Sequence, residues 1–286
     1  MSKIESGIIL LNKDSYMTSY DCIRRLKHIL GIEKIGHAGT LDPFASGLLI
    51  ILVGAGCKLS SYYTNQDKEY VGKIGLGKKI DTLDLTGSIK EYKDCSNINE
   101  ELIDQKMIEL EGNILQIPPI FSAKKVKGVR AYSLARKDVD FFLKEEEVKV
   151  FDFKRVSSLS SDYSFDFYAK VSKGTYIRSL ARDLGEKLDN FGYLLQLERI
   201  STMGFNLNSS YKLSEVNESS IIPINKLFED FPRYDIIDDF RAKLVKNGSY
   251  LNLDFNFRFI RIYFQDEFIA LYENTHDNEF KPFIIL

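Results

Sequence analysis

The chain has 286 residues, of which 44% are hydrophobic, and a formal net charge of −2. This composition excludes an intrinsically disordered chain and is sufficient for one large domain and a small one. The longest apolar run, at 48–53, is far shorter than the roughly 18 residues of a membrane span, and the N-terminal run is shorter still. We therefore expect no signal peptide, no membrane helix and a cytoplasmic location. Three cysteines without metal-like spacing favour reduced thiols over a disulfide framework.

The N-terminal part of the chain predicts a strand, a helix, a loop and a second strand, in that order. Apolar residues predict the strands at 7–11 and 48–53, and helical spacing predicts the helix at 18–30. Thr18 or Ser19 would cap this helix and Gly31 would end it. Its core face would consist of Cys22, Ile23, Leu26, Ile29 and Leu30. The loop at 36–47 is rich in Gly, Thr, Asp and Pro.

The middle of the chain alternates between strands and helices. Strands are predicted at 70–77 and 165–171, with a polar turn at 81–87 and a helix beginning at Asn99. A second helix is predicted at 175–188. Its core stripe contains Ile177, Leu180, Leu184 and Leu188, and this stripe leaves Arg178 and Arg182 outside.

The last fifty residues contain short, aromatic-rich strands at 257–264 and 268–272 around a Gln265-Asp266 turn. A small β-rich C-terminal domain fits this pattern. We therefore predict an α/β (α+β) protein with two domains, one at 1–230 and one at 231–286.

A basic segment follows Pro118-Pro119. Between 124 and 137, six of fourteen residues are Lys or Arg and none is acidic. The prolines interrupt regular structure, so a projecting excursion at about 115–145 is expected. The excursion could present a positive surface to a nucleic acid, or it could be an ordinary solvated face.

The loop at 36–47 is the most unusual feature of the sequence, because it places three glycines, one proline and the single carboxylate of Asp42 between a helix and a buried strand. Such loops hold a side chain toward a ligand and let backbone approach closely. An Asp before Pro is also a common turn former, so composition alone leaves both interpretations of Asp42 open.

The string GHAGTLDPFASGLL at 36–49 resembles the catalytic motif of the bacterial tRNA pseudouridine-55 synthase (TruB) family. The similarity continues in family order across roughly the first 200 residues, through 68–70, 81–87, 116–124 and 172–178. It implies the pseudouridine synthase fold, with a mixed, mainly antiparallel sheet and flanking helices, and a small PUA-like C-terminal domain. The implied reaction isomerises a T-loop uridine of tRNA, so that the uracil base is bonded to ribose through C5 instead of N1. It requires no cofactor and no metal.

The resemblance also implies roles for individual residues. Asp42 would be the catalytic carboxylate, Arg178 its partner, and Tyr70 the residue against the target base. His37 would enter the RNA where the base leaves the stack, with Tyr176 nearby. The excursion would grip the T-arm through its phosphates, using Lys124, Lys125, Lys127, Arg130 and Arg136.

Two departures from the family pattern lie outside the three catalytic residues. Lys13 is followed by Asp14, where the family usually has proline and then a glycine, and Glu198 replaces a usual arginine. The implied protein acts on tRNA as a monomer without an obligate protein partner. Two alternatives remain, a tRNA-folding chaperone and a guide-RNA-dependent synthase of the dyskerin type, although the basic excursion and short C-terminal domain favour the stand-alone enzyme.

Overall fold

The structure, a computed structural model, describes residues 6–126, 128–135, 137, 139, 141–276 and 278–286. The first part of the chain contains β1 (Gly7–Lys13), α1 (Ser19–Leu30), β2 (Ile35–Ala38), β3 (Ser46–Val53), α2 (Ser60–Thr64), β4 (Lys68–Leu76), β5 (Lys78–Ile80), β6 (Ile89–Tyr92) and α3 (Glu100–Ile108). The middle contains β7 (Gly112–Gln116), β8 (Lys125–Val126), β9 (Val129–Arg130), α4 (Ala131–Ala135), β10 (Glu146–Arg155), β11 (Ser164–Val171), α5 (Ile177–Lys187) and β12 (Gly192–Thr202). The last part contains β13 (Phe205–Asn206), β14 (Tyr211–Lys212), β15 (Ile222–Pro223), α6 (Ile224–Leu227), β16 (Arg233–Ile236), α7 (Asp239–Lys246), β17 (Leu251–Asn252), β18 (Phe259–Phe264), β19 (Glu267–His276) and β20 (Glu279–Ile285).

The main sheet confirms the predicted mixed, mainly antiparallel architecture. Its strands follow the order β14-β1-β3-β12-β4-β11-β10-β7, and β2, β13 and β15 pair beside this path. Two pairings between strands of this sheet are parallel among the described residues, β1 with β14 and β3 with β12. The long antiparallel pairs β12–β4 and β11–β4 form its centre.

Both faces of β1 and β3 are covered, which explains their uninterrupted apolar sequences. Alternate residues of a strand point to opposite faces. Ile9 and Leu11 pack in the core cluster that includes buried residues of α1, α3 and α5, whereas Ile8 and Leu10 pack with aromatic residues that include Phe228 and Phe259. The C-terminal part thereby closes the face of the sheet opposite these helices.

Helix α1 confirms the predicted caps and corrects one core residue. Thr18 caps its N-terminus through the Asp21 amide, and Gly31 ends it at φ 65°. Ile29, predicted to be buried, is 46% exposed. At about 100° per residue, Cys22, Leu26 and Leu30 lie within one narrow stripe, and Ile29 lies at its edge.

The C-terminal part forms a second sheet in the order β16-β18-β19-β20-β17. The predicted hairpin is confirmed, because Gln265 and Asp266 both have positive φ, as a two-residue turn of the hairpin type requires. A separate apolar cluster that includes Ile260, Ile262 and Tyr272 forms a core against this sheet. The division of the chain at 230/231 stays a prediction.

The basic excursion leaves the sheet between two neighbouring strands. β7 and β10 pair in antiparallel register from Gln116–Glu146 to Gly112–Val150. The chain between them contains the short β8–β9 hairpin and α4. No helix in the described ranges has the length and apolar character required to cross a membrane.

Candidate active site

The Asp42 loop connects β2 to β3 and is shorter than the sequence predicted. Residues 35–38 form β2, so His37 lies on a strand opposite Ile51 rather than in the loop. The Ser19 hydroxyl, which is on α1, accepts from the Leu41 amide at 3.0 Å and donates to the Leu41 carbonyl at 3.3 Å. Gly47 has φ 104°, and a side chain there would collide with the backbone of Arg199. These contacts hold the loop against α1 and place its end directly beside β12.

Arg178 binds the Asp42 carboxylate through two parallel hydrogen bonds. Its Nε and Nη2 atoms donate to Oδ2 and Oδ1 at 2.7 and 2.9 Å. The guanidinium is 5% exposed and the carboxylate 32% exposed. A planar fork of this kind fixes the orientation of a carboxylate as well as its position. Asp42 therefore presents its remaining oxygen lone pairs in a defined direction, with one side open to solvent.

The guanidinium of Arg178 is itself held by three further groups. Nη1 donates to the Thr82 carbonyl at 3.0 Å, Nη2 donates to the Phe121 carbonyl at 3.1 Å, and the Asp84 carboxylate lies 3.6 Å from Nη1. Arg178 was predicted to lie outside the apolar core stripe of its helix, but its side chain is nevertheless buried. It packs against the loops that carry Thr82 and Phe121 instead of against the apolar core, so the helical stripe could not reveal its burial.

Asp84 lies in the polar turn predicted at 81–87, and the structure buries this residue, which is only 4% exposed. Its Oδ1 accepts from the Thr82 hydroxyl at 3.0 Å and from the Thr86 amide at 2.9 Å. Buried carboxylates require such partners. Asp81 does lie in the hydrated part of the turn, where it pairs with Lys90 at 3.0 Å.

The three remaining residues predicted around the target base are distributed over separate elements. Tyr70 is 7% exposed on β4 and belongs to the core cluster that contains Leu41. The Tyr176 amide, just before α5, donates to the Gln116 side chain at 2.8 Å, and burial raises the pKa of its phenol. His37 is half-buried on β2, and burial, followed by the charge of Arg199, lowers the pKa of its imidazole.

Two buried cations beneath the loop were not predicted as site residues. Arg199, 1% exposed, donates to the Leu48 carbonyl at 2.7 Å and to the Gly39 carbonyl at 3.3 Å. The Lys13 ammonium donates to the Met17 carbonyl at 2.7 Å and to the Pro43 carbonyl at 3.4 Å. Burial lowers the pKa of Lys13 to about 8. Both hold the backbone of the loop on either side of Asp42.

Lys68 is a third buried cation near this loop. Its ammonium donates to the carbonyls of Thr64 and Gln66. Burial is the largest cause that lowers its pKa to about 8, and Arg199 contributes next. The strand pattern of the sequence does not show that the Lys68 ammonium lies among backbone carbonyls. Only the resemblance to the TruB family pointed to Lys68.

The basic residues of the excursion have different surroundings. Lys125 and Arg130 are exposed on opposite strands of the β8–β9 hairpin. Lys124 is half-buried and forms an ion pair with Glu146. Lys127 and Arg136 lie outside the described residues. Among the residues that the structure describes, no group of His, Cys, Asp and Glu is arranged to hold a metal ion.

Comparisons with known proteins show which family the chain resembles. The model for the TruB family pseudouridylate synthase (N terminal domain) matches residues 27–177. The curated tRNA pseudouridine synthase B of Borrelia garinii subsp. bavariensis is 38% identical over 99% of this chain and all of its own length. The same-named protein of Clostridium tetani is 36% identical over 95% of this chain and 96% of its own.

A solved structure supports the fold. A chain of a Cbf5-Nop10-Gar1 complex matches 96% of this chain and 80% of its own length with a TM-score of 0.68 and 24% identity. At this identity the likeness concerns the architecture alone, and it extends over both sheets.

Proposed function

The chain belongs to the TruB family of pseudouridylate synthases, and from this premise we propose that it converts one T-loop uridine of tRNA, at position 55, to pseudouridine. The observation that carries the proposal is the Asp42 carboxylate held by two hydrogen bonds from buried Arg178. Its relatives, matched over almost their full length, are named tRNA pseudouridine synthase B. The alternatives of a chaperone and a guide-dependent synthase have no comparable support.

The reaction is an isomerisation that exchanges one glycosidic bond for another. The bond between uracil N1 and ribose C1′ breaks, the base turns, and a bond from C5 to C1′ forms. N1 gains a proton and C5 loses one, so no electrons are gained or lost overall. Asp42 supplies a carboxylate that acts as a nucleophile at ribose C1′ or at the base, and Arg178 fixes its direction of approach.

The target base must leave the RNA stack to reach Asp42, at a cost of about a few kcal/mol. His37, with a neutral imidazole favoured by its lowered pKa, is suited to replace the lost stacking. Tyr70 and Tyr176 provide aromatic surfaces for the base, and Tyr70 is also a candidate for proton transfer at the ribose. Lys125 and Arg130 contact phosphates of the T-arm, together with Lys124, Lys127 and Arg136.

We also propose the organisation in which this enzyme works. Residues 1–230 form the catalytic domain and 231–286 a PUA-like domain, because the second sheet has its own apolar cluster. The enzyme acts as a cytoplasmic monomer: the Asp42 and Arg178 side chains pair within one chain, and three free cysteines are usual in a reducing compartment.

The test is release of tritium from tRNA transcript labelled at uridine C5, without any guide RNA, with the modified position mapped afterwards. Asp42→Asn should lower the rate at least about 1,000-fold, the scale expected for loss of a nucleophile, and should retain RNA binding. Asp189→Asn, at a carboxylate 98% exposed, is the matched control and should keep full activity. Wild-type activity in Asp42→Asn would refute the assignment.

A further inference from the structure

Tyr16, in the turn between β1 and α1, combines two unusual properties. Its backbone has φ 63°, in the left-handed region that bulky residues rarely adopt. Its side chain is 73% exposed, so the ring gains little from packing. A glycine would adopt this φ without strain. Strained residues of this kind concentrate at functional sites, so the exposed ring itself requires an explanation.

The turn is attached to the loop that carries Asp42. The Tyr16 amide donates to the Pro43 carbonyl at 2.6 Å. Lys13 reaches the same carbonyl and also the carbonyl of Met17, so it holds the turn from its buried side. The position of Tyr16 is therefore fixed relative to the residue that follows Asp42.

A second exposed ring and a basic surface continue from Tyr16. Tyr20, in the first turn of α1, is 72% exposed. Arg24 lies one helical turn further on the same face, with its side chain 70% exposed, and is followed at the same spacing by exposed His28. Asp21, the acidic residue of this helix, is engaged by Thr18 and Arg24.

We propose that Tyr16 and Tyr20 form a stacking platform for unpaired bases of the substrate RNA next to the target uridine, with Arg24 contacting the adjoining phosphate. This inference rests on the proposed function. An RNA occupant is favoured over a protein because exposed aromatic rings beside cationic groups suit bases joined by phosphates. The platform begins at the Asp42 loop, where a loop nucleotide beside an extruded uridine would lie.

The experiment compares RNA affinity and thermal stability in variants that also carry Asp42→Asn, so that no turnover occurs. Tyr16→Gly removes the ring and relieves the strained φ, and Tyr16→Phe keeps the ring. Tyr92→Gly is the matched control, because Tyr92 is equally exposed, at 71%, and lies on a different element, β6, in register with Lys78. Dissociation constants are measured with unmodified tRNA transcript.

We expect Tyr16→Gly to weaken binding about 5-fold to 150-fold, the range for loss of one base–aromatic stack, with an unchanged or higher melting temperature. Tyr16→Phe and Tyr92→Gly should bind like the parent. Parent-like binding by Tyr16→Gly, or an equal loss in Tyr16→Phe or Tyr92→Gly, would overturn the platform. If the wild-type protein neither binds nor modifies the transcript, the proposed function fails instead.

Discussion

The Asp42–Arg178 centre and the basic excursion use charge in opposite ways. In the centre, one buried guanidinium donates to a carboxylate and to two backbone carbonyls. In the excursion, Lys125 and Arg130 are exposed on a hairpin with two residues in each strand. The first arrangement fixes the Asp42 carboxylate in one geometry. The second keeps cations hydrated and adaptable, which suits contact with a phosphate backbone.

The two regions meet at the base of the excursion. The Phe121 carbonyl, near its start, accepts from Arg178, and the Ile117 carbonyl accepts from the Ser179 hydroxyl at 2.8 Å. Helix α5 therefore anchors both the Asp42 carboxylate and the first residues of the excursion. RNA bound by the hairpin would thereby be held at a fixed distance from Asp42.

The largest expected effect comes from breaking the rigid centre with Arg178→Lys. A single ammonium cannot reproduce the planar fork and the two carbonyl contacts. We expect pseudouridine formation at saturating RNA to fall about 100-fold to 1,000-fold. The free energy of unfolding should fall by about 1–3 kcal/mol, because the Thr82 and Phe121 carbonyls lose donors that a single ammonium cannot replace. Tritium release and urea denaturation measure the two quantities.

The control for this prediction is Arg182→Lys, one turn later on the same helix. Arg182 pairs with Asp183 at 2.6 Å and is more exposed than Arg178. We expect this control to keep most of its activity, and the salt dependence of RNA binding should stay unchanged in both variants. Normal turnover by Arg178→Lys would show that activity requires only a positive charge beside Asp42 and not the planar fork. The Asp42–Arg178 centre would then not differ from the excursion in its need for fixed geometry.

The next largest effect concerns Lys68, a buried cation near the loop, and is a pH dependence of the free energy of unfolding. The pKa of Lys68 is about 8 in the folded protein, against an ordinary lysine value of 10.5. Between these values the unfolded chain binds more protons, so the free energy of unfolding rises with pH. One pKa unit corresponds to about 1.4 kcal/mol, so Lys68 contributes a gain of at most about 3 kcal/mol over this window.

The measurement is urea denaturation of the wild-type protein and of Lys68→Met at several pH values between about 7.5 and 10. The difference between the two proteins isolates the contribution of Lys68 from that of the other titrating groups. We expect the wild type to gain stability relative to Lys68→Met as the pH rises. If the difference in free energy of unfolding between the two proteins did not change with pH, the Lys68 ammonium would be hydrated. The cations near the loop would then be as solvated as those of the excursion.

Much of the fold could be predicted because its signals are local. Helix α1 has its caps and stripe within fourteen residues, and the β18–β19 hairpin has alternating apolar residues around a two-residue turn. The parallel pairing of β16 with β18 had no such signal. It joins residues far apart in sequence, and parallel pairing depends on tertiary packing more than on local pattern.

The candidate site divides in the same way. Asp42 and Arg178 were found because the loop and helix motifs resemble a family, and the structure brings their side chains into contact. Asp84 was not counted among the site residues, because a polar turn has the same sequence pattern whether solvent or an arginine covers it. Arg199 was missed because its partners are carbonyls distant in sequence, and every residue type offers a carbonyl.

The smallest effects are expected in the excursion, where Lys125→Ala and Arg130→Ala should each weaken tRNA binding by about 3-fold to 10-fold at moderate salt. Turnover at saturating RNA and the melting temperature should not change, because both side chains are exposed. The slope of log affinity against log salt should decrease by about 0.7–0.9 for each phosphate that a variant no longer binds. Titrations at several salt concentrations measure this slope.

Lys124→Ala is the internal comparison for these variants. Lys124 already pairs with Glu146, and their side chains are 35% and 39% exposed, so its charge is partly neutralised before RNA arrives. We expect a smaller loss of affinity than for Lys125→Ala, and a gain of about 2-fold for Glu146→Gln, which removes the competing carboxylate. If Lys124→Ala weakened binding the most and also lowered turnover at saturating RNA, the fixed base of the excursion, rather than its exposed hairpin, would hold the RNA.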